Sequence, residues 1–259
     1  MVVLHYDKPL RFPLSREINM IKFFRKIRQR LLSENKFSKY FLYAIGEISL
    51  VVIGILIALQ VNNWNEQKKL NIQEVKMLKE FRIDLTQALD DLEGNITDLQ
   101  SCIKSNEIIL NQITKKLSYN DSLDYHFAML YPYIIFSANQ TTYENAKQTG
   151  FHLISNDSLK TTISNLYGNL FKTYIESENN YLIKHFDNHL KPMFISEFTT
   201  FEYGTSMHPK NYSNFIENTE HQQIINFTID ACKNFIGVQT YLKSQVMSIL
   251  ELIDKEIEG

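Results

Sequence analysis

Residues Phe41–Val61 read FLYAIGEISLVVIGILIALQV, an apolar run of twenty-one residues broken by a single acid, Glu47. No other feature restricts the chain as strongly. A helix of that length rises about 31 Å at about 1.5 Å per residue, which matches a hydrocarbon core of about 30 Å. A core helix of equal length would interrupt its apolar face with polar residues more often. A cleaved signal peptide would have a shorter apolar core and small residues at its cleavage site. Here Ala58-Leu59-Gln60 leads straight into Val61-Asn62-Asn63-Trp64. The segment therefore reads as an uncleaved signal anchor with one transmembrane helix, residues 41–61.

Charge orients it. The net charge of −2 hides ten Lys/Arg against three acids in residues 1–40, and seventeen against twenty-five in residues 62–259. The positive-inside rule places the N-terminus in the cytoplasm. In a bacterial inner membrane residues 62–259 then form a periplasmic domain. Tyr40, Tyr43 and Trp64 fit interfacial anchors. The large domain is acidic, and Arg82 is its only arginine, which argues against nucleic acid as a partner.

Residues 20–40 add a membrane-surface element. Met20, Phe24, Ile27 and Leu31 share one helical face, and Lys22, Arg25, Lys26, Arg28 and Arg30 crowd much of the remainder. A basic amphipathic helix of this kind lies on anionic lipid, although the same charges also serve simply to set topology. Residues 1–19 lack such organisation and contain Pro9 and Pro13, so Met20 is expected to be the true start and the preceding stretch an over-long extension.

Within the span, Glu47, Gly54 and Ala58 fall seven and eleven residues apart and so share a helical face. A central acid costs about 2.5–3.5 kcal/mol on insertion, and Gly54-x-x-x-Ala58 permits close helix approach. The face is read as a contact for a second helix, from another copy of the chain or from a partner membrane protein. The plainer alternative is an acid that snorkels or is protonated.

After the span the pattern is helical throughout. Leu85, Leu89, Leu92, Ile96, Leu99, Ile103, Leu110, Ile113 and Leu117 alternate in steps of four and three, with Asn106 as the one polar seam position. This heptad predicts a helix from Leu70 to Leu117; its spacing suits another chain or later helices of this one as partner, and the helical pattern of those later regions favours a bundle within the chain. Ser118–Ser122 reads as a turn, Leu123–Phe136 as a short helix carrying Pro132, and Thr141–Gln148 as another ended by Gly150. Ser155-Asn156-Asp157 signals a helix start. That helix carries Leu159, Ile163, Leu166, Leu170, Tyr174 and Tyr181 toward a stop at Pro192, and Thr199–Asn214 reads as a loop. From Glu217 onward Phe235, Val238, Leu242, Val246, Ile249, Ile253 and Ile257 form a final stripe. The expected class is all-α: one N-terminal transmembrane helix followed by an elongated antiparallel helical-bundle ectodomain.

The stretch NKFSKYFLYAIGEISLVVIGILIALQVNNWNE, with MIKFFRKIRQ before it, resembles the N-terminal signature of a domain-of-unknown-function family of single-span membrane proteins in Bacteroidota. A second stretch, TTYENAKQTGFHLISNDSLKTTISNLY, is similar to the family through Tyr143, Gly150, Ile154, Leu159 and Tyr167. The resemblance implies an integral membrane protein and assigns no activity. It also favours Met20 as the start.

Catalytic patterns do not emerge. The chain contains no glycine-rich phosphate loop, no G-x-S-x-G and no paired Cys motif. His185 and His189 share a helix face at zinc-chelating spacing, but Phe186 replaces the Glu of H-E-x-x-H and no third ligand is indicated. His152 reads as an ordinary polar residue. No catalytic residue, metal or cofactor is expected. Cys102 and Cys232 lie on separate helices; two unpaired cysteines on packed faces is the commoner arrangement, and one bridge the alternative in an oxidising compartment. The sequence thus predicts a non-enzymatic, membrane-anchored interaction or structural module of the cell envelope. The alternative is a ligand-sensing subunit that signals through a partner membrane protein, because its cytoplasmic part is too short for an output domain.

Overall fold

The computed structural model describes residues 25–26, 29–30, 37–149 and 151–258. The chain is helical without a single strand among the described residues; two isolated bridges, Phe198 with Pro209 and Glu202 with Ser206, pin a loop. It divides into two compact units, Met1–Lys68 and Lys69–Gly259.

Helix α1 spans Phe37–Lys115, 79 residues. The expected separation between the apolar segment and a helix starting at Leu70 is absent. Residues 62–69 contain neither proline nor glycine, so nothing there stops a helix already under way. The stop comes at Lys116, whose φ of 49° turns the chain left-handed. The Leu117 N–H then reaches the Gln112 carbonyl and the Lys116 N–H the Ile113 carbonyl, a Schellman closure built without glycine.

The remaining elements belong to the second unit. They are α2 (Leu123–Ala128), α3 (Thr141–Thr149), α4 (residues 157–197), α5 (Tyr212–Glu217) and α6 (Thr219–Glu258). Asn156 caps α4 by accepting the N–H groups of Ser158 and Leu159. Helix α2 ends far short of Phe136. Pro132 disfavours helical geometry at Tyr131, and the chain leaves α2 extended. That extended strap finds its hydrogen bonds on side chains. Asn106 donates to the Leu130 carbonyl, the Phe136 N–H donates to Glu178, and the Ser137 N–H donates to Asp91.

The core rests on two seams. On α1 one buried series runs Leu78, Phe81, Leu85, Ala88, Leu92, Asn95, Leu99, Cys102, Asn106, Ile109 and Ile113 in alternating steps of three and four, with buried Asp84 and Ser105 beside it. The expected seam shares Leu85, Leu92, Leu99, Asn106 and Ile113, but its other positions are displaced by one residue. Leu89, Ile103 and Leu110 flank the seam rather than fill it. Small or polar Ala88, Asn95 and Cys102 occupy the displaced positions. On α6 the matching series is His221, Ile225, Thr228, Cys232, Phe235, Gln239, Leu242, Val246, Ile249 and Ile253. Gln239 is buried there, whereas Val238 is 45% exposed. Residues 82, 93 and 107 of α1 pair with 254, 243 and 233 of α6, so these two helices run in opposite directions.

Helix α4 passes through three π turns, Leu166–Phe171, Asn179–Ile183 and Phe186–Leu190. Its inward face therefore advances in longer steps: Leu159, Ile163, Tyr167, Phe171, then Tyr174, Glu178 and Leu182. An α-helix would rotate such a series off the core; each π turn widens the local repeat and returns it. This displaces the expected stripe, so that Leu170 is only partly buried and Tyr181 is 61% exposed. The helix also continues past Pro192 to Glu197, because the π turn before that proline disrupts the backbone register its ring would otherwise clash with.

The seam assignment makes a paired prediction for unfolding of the purified chain. Leu92→Ala is expected to cost about 2–5 kcal/mol, whereas Val238→Ala should stay within about 0.5 kcal/mol. Urea denaturation followed by circular dichroism measures both; equal losses would contradict the seam on α6.

Candidate functional site

Helices α4 and α6 leave an apolar groove between them of about 660 Å³. It lies on the solvent side of the second unit's core and reaches down to Tyr174, Phe235 and Leu242. Its size falls within the usual range of ligand pockets, about 300–1,000 Å³. The local backbone creates it. Asn169 and Leu170 sit in the first π turn and Tyr181 in the second, so the two irregular turns bracket the groove along α4. Tyr181, Phe227, Val238 and Tyr241 line it and are each 45–61% exposed. Thr173 and Ser177 of α4, with Asp230 and Asn234 of α6, supply the polar groups. Chemically this is a recognition surface: large apolar faces for burial and a few hydrogen-bonding groups for orientation.

Behind the groove runs a buried polar chain. The Gln239 amide donates to the Tyr174 hydroxyl, which donates to Glu178 Oε1 at 3.1 Å, while Glu178 Oε2 accepts the Phe136 N–H at 3.2 Å. Burial pushes the Glu178 carboxyl above its ordinary range, although its two donors pull the other way. The same burial, reinforced by Glu178, pushes the Tyr174 phenol well up. The sequence pattern missed this chain because Gln239 was hidden behind its neighbour Val238, the more plausible core residue. Five buried polar atoms, including Gln239 Oε1 and Asn106 Oδ1, have no hydrogen-bond partner among the described residues.

Of the candidate histidines, His185 is held in the core. His185 is buried, with Nε2 at 2.9 Å from the Thr228 hydroxyl. That hydroxyl already donates to the Ile224 carbonyl, which assigns the proton in this contact to His185 Nε2. Its ring packs 4.5 Å from the Phe227 ring and 5.5 Å from that of His189. Burial, with His189 adding to it, lowers the His185 pKa to about 4. Among the described residues no group of three or more His, Cys, Asp or Glu side chains is arranged to hold a metal. His152 is exposed.

The predicted membrane residues lie in the first unit. Glu47, Gly54 and Ala58 are exposed on α1, and a Cβ added at Gly54 would meet nothing within 4 Å. Glu47 lines a concavity with Ala44, Ile48, Val51 and Val52, to which Gly54 and Ala58 do not contribute. Arg25, Lys26 and Arg30 are helical and exposed, while Lys22 and Arg28, like the extension at residues 1–19, lie outside the described residues. Helix α1 is long and apolar enough to cross a membrane, and none of its most apolar eighteen-residue window is buried.

In the second family-like stretch, Tyr143 and Tyr167 stack with ring centroids 5.0 Å apart, and Ile154 and Leu159 are buried. Gly168 permits this stack, since a Cβ there would stand 2.9 Å from the Tyr143 hydroxyl. Compared with known families, the chain matches a model described as a family of unknown function, DUF6090, over residues 47–229. No curated protein and no solved structure matches it.

His185 titrates with a definite sign. Its folded pKa of about 4 lies below the unfolded value of about 6.5, so the unfolded chain binds the extra proton. The stability it contributes is complete above pH 6.5 and is lost as pH falls toward 4. Chemical denaturation across that window should show a loss of about 1–3 kcal/mol that is absent in His185→Gln. Identical slopes for the two proteins would refute a neutral buried imidazole.

Proposed function

We propose, from the premise that this chain belongs to the DUF6090 family of unknown function, that it is a membrane-anchored interaction module. The observation that carries this reading is the most apolar eighteen-residue window of α1, none of which is buried. An unburied apolar run of that length is costly in water, and hydrocarbon is the solvent that suits it. The basic residues before the segment support an N-terminus in the cytoplasm of a bacterium. Residues 62–259 then form an antiparallel helical-bundle domain on the periplasmic side. Lipid contacts the segment and its basic flank, and Glu47, Gly54 and Ala58 present a face for a second helix, either a copy of the chain or another membrane protein.

On this reading the α4–α6 groove is where the domain meets what it recognises, and the protein is not an enzyme. The groove also supports the second reading, a ligand-sensing subunit with a partner in the membrane. Bracketing π turns are frequent at functional sites, and a volume of about 660 Å³ suits a small molecule as well as a protein side chain cluster.

Membrane insertion is tested by washing membranes at alkaline pH. The full chain should stay in the pellet and a variant lacking residues 41–61 should appear in the supernatant; release of the full chain would end the anchor reading. A photoreactive residue at Gly54 is expected to capture a protein helix, and adducts with lipid alone would end the contact-face reading. Thermal shift of the purified chain against a metabolite panel separates sensing from scaffolding. Under the sensing reading, Val238→Arg should abolish any shift while leaving the unliganded melting temperature within about 2 °C.

A further inference from the structure

Cys102 and Cys232 stand at one level of the two seams, the first on α1 and the second on α6. Their Sγ atoms are 3.9 Å apart, and both residues are fully buried. They are free thiols in this structure. The surroundings hold Cys102 in place: its thiol points to the Leu130 carbonyl at 3.5 Å, and the Asn106 amide donates to its sulfur at 3.2 Å. An alanine also serves as a buried seam residue two heptads earlier, at Ala88. Two facing thiols in sulfur–sulfur contact add a chemical capacity that two alanines lack.

We propose that Cys102 and Cys232 are the site of an intramolecular disulfide that fastens α1 to α6, formed by exchange with the disulfide of an oxidising dithiol protein as the domain folds. The thiolate of one cysteine attacks the donor disulfide, giving a mixed disulfide and releasing one donor thiolate. The second cysteine's thiolate then attacks the mixed disulfide at the first cysteine's sulfur. The Cys102–Cys232 bond forms, the second donor thiolate leaves, both chain thiols have surrendered their protons, and the donor has gained two electrons. The reaction precedes closure of the seams. In the folded domain both sulfurs are shielded, and burial together with the neighbouring Cys232 holds the Cys102 thiol well above its ordinary pKa, which suppresses its reactive form. A bond between residues 130 apart in sequence constrains the unfolded chain strongly.

Occurrence of the bond in the cell rests on the proposal that this domain faces the periplasm, whereas the capacity to form it does not. The experiment has a corresponding arm for each. Full chain purified in detergent, reduced, denatured and refolded in a glutathione redox buffer is alkylated in denaturant and weighed intact. The expected product has no alkyl groups and lies about 2 Da below the dithiol. Its melting temperature should exceed that of the reduced chain by roughly 5–15 °C. Persistence of two alkylated cysteines under these conditions would overturn the proposal.

The second arm takes cells quenched in acid and alkylated in denaturant without reductant. Topology is read separately in Cys102→Ser/Cys232→Ser chains carrying Lys116→Cys, labelled in intact cells by a maleimide that enters the periplasm and does not cross the inner membrane. Labelling together with an unalkylated wild-type chain is the expected result. Labelling with two alkylated cysteines overturns the disulfide as a cellular species. No labelling overturns the periplasmic reading instead and leaves the refolding arm to decide whether the pair can bond.

Discussion

The meshing of two heptad seams, residues 78–113 of α1 and residues 221–253 of α6, supports everything else in the second unit. Opposite helix directions let ion pairs bind the margins, Arg82 with Asp254, Lys243 with Glu93 and Lys233 with Glu107. These pairs are largely exposed and contribute little energy; their value is in fixing register. The energy comes from burial of the seam itself, where Phe81, Leu92, Phe235 and Leu242 interlock. Cys102 of α1 and Cys232 of α6 meet inside this seam, their sulfurs 3.9 Å apart.

Helix α4 and the strap before it solve a different problem. A third helix must follow the α1–α6 pair for forty residues while keeping one face inward. Three π turns correct its rotation in place of kinks or breaks. The groove lies between α4 and α6, lined from the first two of these π turns on one side and from α6 on the other. The strap at residues 130–140 crosses without regular structure because Asn106, Asp91 and Glu178 take up its backbone groups. Glu178 thus links the strap to Tyr174 and Gln239, directly behind the groove floor.

Legibility in the sequence followed the physics of each element. The α4 start was legible because Asn156 makes a local cap, and α3 because its signals are local too. The helix expected over Leu123–Phe136 stops at Ala128 instead, because Pro132 bars helical continuation that the apolar periodicity alone would allow. The groove was invisible for a related reason. Tyr181 and Val238 are as apolar as true core residues, and only the π turns and the position of α1 decide that they face outward. None of the three π turns carries a residue signature that spacing alone would detect.

By itself the sequence determined the all-helical class, the single long apolar segment with its charge asymmetry, and the heptad repeats of α1 and α6. These follow from local propensity, periodicity and composition, each of which a chain carries residue by residue. Tertiary structure alone decided which residue of each neighbouring pair entered the core: Ala88 over Leu89, Cys102 over Ile103, Gln239 over Val238. A seam one residue out of phase is nearly as apolar, so the choice depends on which side chains the partner helix can accommodate. The same steric decision placed Cys102 against Cys232 and opened the groove between α4 and α6.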